Sequence, residues 1–207
     1  MNKTKGFTLI EMAIVLLIIG ILLGVVLARS SSVIGNAKTT NTIALIKDLS
    51  AAINNFKNRY HYLPGDLPKA GDDISGITGT TCDIATTTAN IGNGQIDTNT
   101  EVACAAVELI QAGLINGNTN GIFSPNNASN TPDVFVTARR TIGSNLPTFP
   151  STVLNEIELT NQPCGTAQGI DSKLDDGNFA SGNIQASVTS CSPGGTNDPV
   201  PYLDIAL

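Results

Sequence analysis

One glutamate, Glu11, stands inside a long apolar run near the start of the chain. The run extends from Phe7 to Ala28, and Glu11 is its only charged residue. A charged side chain in apolar surroundings costs roughly 2.5 to 3.5 kcal/mol unless a cation neutralises it. The simplest alternative is that Glu11 lies at the aqueous boundary, stabilised by the positive end of a helix dipole. The spacing therefore predicts that Glu11 pairs with a cation or lies at that boundary.

Four cysteines could form covalent cross-links, and all of them lie well beyond the apolar run: Cys82, Cys104, Cys164 and Cys191. Outside the cytoplasm, four cysteines allow three disulfide pairings. We favour Cys82 with Cys104 and Cys164 with Cys191, because each pairing closes a loop of roughly 20 to 30 residues. Zinc ligation is disfavoured, because the chain has no Cys-x-x-Cys and a single histidine, His61.

No constellation typical of an enzyme is present. The chain lacks a Gly-x-Ser-x-Gly elbow, a phosphate-binding loop and a His-Glu-x-x-His motif, so we predict no enzymatic activity, no catalytic residue and no cofactor. Asp171, Asp175 and Asp176 could supply oxygen ligands, but a solvated acidic turn is the simpler interpretation, and no metal is predicted. The 17 acidic and 11 basic residues give a net charge of −6, and without a basic stripe no nucleic acid is expected as a partner.

The apolar run is long enough to cross a membrane. Its residues, Phe7 to Ala28, would form a helix of roughly 33 Å, against about 30 Å for a bilayer core. Lys3 and Lys5 precede the run, which predicts a cytoplasmic N-terminus and a periplasmic remainder. A plain uncleaved anchor and a signal peptide cleaved after Ala28 are the alternatives. The apolar segment of a signal peptide has about 7 to 15 residues and no acidic residue. This run is longer and contains Glu11, so a signal peptide is disfavoured.

The junction Lys5-Gly6-Phe7-Thr8-Leu9-Ile10-Glu11-Met12 resembles the class III leader of type IV pilins and type II secretion pseudopilins. In that family a basic leader ends in glycine, a phenylalanine follows, and a glutamate stands four residues further on. The resemblance implies cleavage after Gly6 by a membrane-embedded prepilin peptidase and methylation of the new amine on Phe7. It also implies that this amine is the cation that pairs with Glu11 of a neighbouring subunit. The partners would be other pilin or pseudopilin subunits and an inner-membrane assembly platform.

The pattern predicts that the first helix continues beyond the apolar run. Ile46, Leu49, Ile53, Phe56 and Tyr60 are three or four residues apart, which places them on one face of a helix. Polar residues occupy the opposite face, so this part is amphipathic and should pack against a globular head. The helix should end near residue 62, before a type II turn at residues 64 and 65.

The head should combine a second helix with short strands. Residues 70–100 are rich in Gly, Thr and Asn and are predicted to form a long loop. At its end, Thr98 and Glu101 form a candidate capping box for a helix that ends between residues 113 and 117. Strands are predicted at Val134–Val136 and 202–207, and a half-exposed one at 184–188, whereas 152–160 is ambiguous between strand and helix.

These patterns predict an α+β fold: a long N-terminal helix packed on a small antiparallel sheet, with loops stapled by disulfides. The expected organisation is a leader (1–6), a transmembrane or filament-core helix (7–28), its amphipathic continuation (29–62) and a periplasmic head (63–207). We predict a structural subunit, either pseudopilin or minor pilin, that passes from the inner membrane into a filament. A major pilin and a membrane-anchored binding protein or enzyme that never polymerises are the alternatives.

Overall fold

The structure is a computed structural model of an α+β protein with four helices and one antiparallel sheet among its described residues. The described residues are 8–85, 90–116, 134–138, 149–192, 195 and 197–207, without the side chains of 25–34 and 134–138. The helices are α1 (Leu9–Tyr60), α2 (Ala70–Asp73), α3 (Asn99–Gln111) and α4 (Cys164–Leu174). The strands are β1 (Val134–Ala138), β2 (Asn155–Pro163), β3 (Ile184–Ala186) and β4 (Pro199–Ala206).

The chain divides into two compact units, Met1–Lys38 and Thr39–Leu207. In the first unit, α1 presents large apolar side chains all round its circumference. From Leu9 to Leu23 the large apolar side chains are 46% to 90% exposed. In the described part of the chain, no helix combines the length and the apolar character that crossing a membrane requires.

In the second unit, α1 buries one face, as the spacing of its apolar residues predicted. Ile46, Leu49, Ile53 and Phe56 are buried, and Tyr60 is partly buried against the same core. The Phe56 and Tyr60 rings lie 4.6 Å apart between centroids. The two residues are one helical turn apart, and their rings pack against each other with their planes tilted by 46°. The predicted amphipathic continuation of the helix is confirmed.

The helix ends at Tyr60, two residues earlier than expected, because His61 adopts a left-handed backbone with φ of 64°. The His61 N–H donates to the Lys57 carbonyl, which closes the last turn. The predicted turn follows: Gly65 has φ of 89°, and the Asp66 N–H donates to the Leu63 carbonyl at 3.1 Å.

The four strands pair antiparallel in the order β1-β2-β4-β3. The segment that was ambiguous between strand and helix is therefore the central strand β2. One face of the sheet is apolar: Ile157 pairs with Ile205 and Leu159 with Leu203, and all four are buried. These side chains belong to the same core as the buried face of α1.

Several local predictions were wrong or incomplete: α2 lies in a segment expected to be a loop, and α3 ends at Gln111, before residue 113. β3 was expected to be half exposed, but Gln185 is buried along with its apolar neighbours. β4 begins at Pro199 rather than at residue 202. The helix α4 was not predicted, because it follows β2 directly, has no side-chain cap and contains two glycines, Gly165 and Gly169.

Both disulfides follow the favoured pairing. Cys82 joins Cys104, which ties the loop after α2 to α3, and Cys164 joins Cys191, which ties the start of α4 to the segment after β3. The bridges span 22 and 27 residues. Loops of that size stabilise a fold by roughly 3 kcal/mol each, so the bridges hold the loop-rich head together.

We predict that Phe56→Ala lowers the free energy of unfolding by about 3 to 5 kcal/mol, because it leaves a cavity in the core. Phe56 is 0% exposed. Urea unfolding of the full chain in detergent would measure this loss. The matched control is the exposed neighbour Asn55→Ala, which should change the value by less than about 0.5 kcal/mol. An equal effect of the two substitutions would contradict the assignment of Phe56 to the core.

Candidate functional site

The candidate assembly site is the N-terminal end of α1, where Thr8 and Glu11 form a reciprocal capping box. The Glu11 N–H donates to Thr8 Oγ1 at 3.3 Å. In return, Glu11 Oε2 accepts the Thr8 N–H at 2.7 Å and the Thr8 hydroxyl at 2.8 Å. This arrangement satisfies N–H groups that a helix start otherwise leaves without partners. It also fixes the glutamate carboxylate at the first turn of the helix.

The capping box leaves the Glu11 side chain exposed at the edge of an apolar surface. Its neighbours along the helix include Leu9, Ile10 and Met12, which are 90%, 69% and 51% exposed. A carboxylate in this position offers a fixed negative charge to any cation that comes with an apolar partner surface. Gly6 and Phe7 lie outside the described residues, so their processing and the pairing of the Phe7 amine with Glu11 stay predictions.

A second polar centre lies in the head, where buried carboxylates hold backbone N–H groups from distant segments. Glu108 on α3 is 0% exposed, and its Oε2 accepts the Gly65 N–H at 2.7 Å. Gly65 is required at this turn, because a Cβ there would overlap the Glu101 carbonyl oxygen. The contact joins α3 to the turn that follows α1.

Asp66, the next residue, binds the loop that precedes α3. Its carboxylate accepts N–H groups from Gly92, Asn93 and Gly94, at 3.2 Å for Asn93 and 2.8 Å for Gly94. Asn155 at the start of β2 continues the network, accepting the Ile96 N–H at 3.0 Å and donating to the Gly94 carbonyl at 2.9 Å. Loop 90–97 is thus fixed on one side by the turn after α1 and on the other by the sheet.

Glu101 completes this network as the predicted cap of α3. Thr98 accepts the Glu101 N–H, and Glu101 Oε2 accepts the Thr98 and Asp97 N–H groups at 2.8 Å and 2.9 Å. The predicted capping box is confirmed. The roles of Asp66 and Glu108 were not predicted from the sequence, although the Pro-Gly-Asp turn indicated that the segment had a defined geometry.

The three carboxyl groups influence one another. The pKa of Glu108 is raised to about 8: burial is the largest cause, the Gly65 N–H opposes the shift, and the negative charges of Asp66 and Glu101 add to it. Burial likewise raises the pKa values of Asp66 and Glu101, against the N–H groups that each accepts. Glu108 is therefore a neutral carboxylic acid at pH 7.

The prokaryotic N-terminal methylation motif matches residues 1–27 of the chain. This motif is the type IV pilin-like leader that the sequence resembled, and the resemblance is confirmed. Among curated proteins, the "Fimbrial protein" of Moraxella nonliquefaciens is 34% identical over 79 residues, which are 38% of this chain and 51% of that protein. The matched region thus spans about half the length of this relative. No solved structure matches the chain significantly.

We predict that Glu108→Gln removes a pH dependence from the stability of the head. Glu108 has a folded pKa of about 8, against an ordinary value of 4.5, so the folded state retains a proton that the unfolded state loses. Stability should therefore fall by up to about 1.4 kcal/mol per pH unit between these two values as pH rises. Glutamine keeps an oxygen for the Gly65 N–H and cannot ionise.

Urea unfolding of the full chain between pH 5 and pH 9 tests this prediction. Wild type should lose stability as the pH rises, and Glu108→Gln should lose distinctly less. The exposed Asp73→Asn is the matched control and should follow wild type. Parallel pH profiles for wild type and Glu108→Gln would show that Glu108 ionises normally in the folded head.

Proposed function

We propose that the chain is a structural, non-enzymatic subunit, a pseudopilin or minor pilin, of a type IV pilus-like or type II secretion filament. The observation that carries the proposal is the methylation motif at residues 1–27, followed by a helix whose apolar side chains are exposed all round. A helix of this kind needs apolar surroundings on every side. A bundle of identical helices in a filament core supplies them, as does a membrane before assembly.

The proposed maturation begins with cleavage after Gly6 by a prepilin peptidase, followed by methylation of the new amine of Phe7. The precursor is held in the inner membrane by the helix that starts at Phe7, with its head in the periplasm. Two disulfides in the head fit an oxidising compartment of this kind. Other subunits and an inner-membrane assembly platform are the proposed partners.

In the proposed filament, the ammonium of one subunit's Phe7 pairs with Glu11 of its neighbour. The capping box supports this role, because it holds the Glu11 carboxylate at the exposed start of the helix. A charge in an apolar bundle is costly alone and stable when paired, so only the register that brings the two charges together avoids the penalty. A major pilin is the second candidate, and the relative named "Fimbrial protein" favours it.

We predict that the mature protein begins at a methylated Phe7. Intact-mass and N-terminal peptide mass spectrometry would measure this in cells with and without a prepilin peptidase. The processed form should require the peptidase. A chain that still begins at Met1 in both strains would favour a plain anchor. A chain that begins at Arg29 would identify a secreted protein and contradict the proposal.

We predict that Glu11→Ala reduces incorporation into filaments by roughly 100-fold or more, since breaking a charge pair in an apolar environment costs about 3 to 5 kcal/mol. The amount of processed protein in the membrane fraction should stay unchanged. Quantitative immunoblots of the sheared filament fraction and of the membranes would give the two values.

Asp73→Ala is the control for this experiment, because Asp73 is an exposed acid in the head. It should leave the filament fraction at the wild-type level. Normal incorporation of Glu11→Ala would show that Glu11 plays no part in assembly and would favour a protein that functions as an anchored monomer.

A further inference from the structure

Loop 90–97 contains an asparagine followed directly by a glycine, Asn93 and Gly94, and both residues are exposed. An asparagine side chain can react with the backbone nitrogen of the next residue. A glycine in that place leaves the path to the nitrogen open, because it has no Cβ. Asparagine is among the thermally labile residues, and this dipeptide gives it an unobstructed reaction partner. The outcome depends on how the loop holds the two reacting groups.

The reaction is deamidation, and it requires only water. The backbone nitrogen of Gly94 attacks the side-chain carbonyl carbon of Asn93, and the new C–N bond closes a succinimide ring. The bond from that carbon to the side-chain nitrogen breaks, and ammonia leaves with the proton of the Gly94 N–H. Water then opens the ring at either carbonyl, which leaves aspartate or isoaspartate at position 93.

In the folded head, Asp66 binds the attacking nitrogen. The Gly94 N–H donates to Asp66 Oδ2 at 2.8 Å, and the Asn93 N–H donates to Asp66 Oδ1 at 3.2 Å. Hydrogen bonds to a charged acceptor are roughly twice as strong as neutral ones. A carboxylate is too weak a base to remove the amide proton, so it holds the N–H group in place. The Gly94 nitrogen must break this contact before it can attack.

The other groups around the reaction centre are held as well. Asn93 Oδ1 accepts the Gln95 N–H at 2.7 Å, and Asn93 Nδ2 donates to Asp97 Oδ2 at 3.3 Å. The Gly94 carbonyl accepts a hydrogen bond from Asn155 Nδ2 at 2.9 Å. Both the nucleophile and the amide that it would attack are therefore bound to other parts of the head, so ring closure requires the loop to open.

We propose that Asn93 is a deamidation site whose reaction is controlled by Asp66. The reaction is slow while the Asp66 carboxylate binds the Gly94 N–H, and fast once the loop is released. Loss of a hydrogen bond to a charged group shifts an equilibrium by roughly 10-fold or more. The folded head should therefore deamidate at Asn93 at least about 10-fold more slowly than the unfolded chain.

The product acts against the loop that contains it. A carboxylate at position 93 has no hydrogen to donate to Asp97, and it adds a negative charge close to both Asp97 and Asp66. Like charges at short range repel each other. Isoaspartate also adds a methylene group to the backbone, which displaces the N–H groups that Asp66 accepts. A single opening that ends in reaction thus weakens the attachment of the loop permanently.

Timed incubation of the full chain in detergent at neutral pH tests the proposal. Peptide mass spectrometry that separates asparagine, aspartate and isoaspartate at position 93 gives the rate. The reference is the reduced chain in guanidinium chloride, which should react at least about 10-fold faster. Asp66→Asn keeps the size of the side chain but replaces one acceptor oxygen by an NH₂ group. In the folded state this variant should deamidate about 10-fold faster than wild type.

Asn155→Ala is the matched control, because it loosens the same loop without touching Asp66. It removes the bonds to the Gly94 carbonyl and to the Ile96 N–H. It should accelerate deamidation distinctly less than Asp66→Asn does. Hydrogen exchange supplies a readout that needs no variant: the Gly94 N–H of folded wild type should exchange slowly, although the residue is exposed.

Two rate results would overturn the proposal. If folded wild type deamidates as fast as the unfolded chain, the loop gives no protection. If Asp66→Asn and Asn155→Ala accelerate the reaction equally, the protection comes from the loop as a whole and not from the contact between Asp66 and Gly94. Should Asp66→Asn fail to fold, hydrogen exchange in wild type decides, and rapid exchange of the Gly94 N–H would contradict the proposal.

Discussion

The head is built on one face of a helix. The apolar side chains of α1 between Ile46 and Phe56 belong to the same buried core as the inner face of the sheet. Because Ile46, Leu49, Ile53 and Phe56 follow a spacing of three and four residues, a single helix surface contributes all of them to this core. α3 and the loop 90–97 are then fastened to the turn after α1 by polar contacts.

In these polar contacts the carboxylates of the head bind backbone N–H groups rather than basic side chains. Only 14% of the residues are charged, and the carboxylates of Asp66, Glu101 and Glu108 accept backbone donors. A carboxylate that accepts several N–H groups can order a glycine-rich loop that has few apolar side chains of its own. One backbone donor is not enough to stabilise the ionised form of a buried carboxylate: Glu108 accepts only the Gly65 N–H and stays protonated at neutral pH.

Features that depend on local spacing could be predicted from the sequence. The buried face of α1, the capping box at Thr98 and Glu101, and the α+β class all follow from residues within one or two helical turns of each other. The contacts of Asp66 and Glu108 could not be predicted, because their partners lie 26 to 43 residues away and are backbone groups with no sequence signature. The helix α4 was missed for a related reason: tertiary packing of Ile170 stabilises it despite its two glycines.

The acidic residues of this chain show three ways in which a carboxylate without a basic side chain can be accommodated. Asp66 is stabilised by backbone donors, and Glu108 by keeping its proton. Glu11 has neither solution in full, because its donors all bind one carboxylate oxygen. In our proposal Glu11 receives its cation from outside the subunit, as an ammonium group from a neighbouring chain. This unneutralised acid makes the N-terminal helix dependent on its surroundings, since the charge favours the assembled state over the isolated chain.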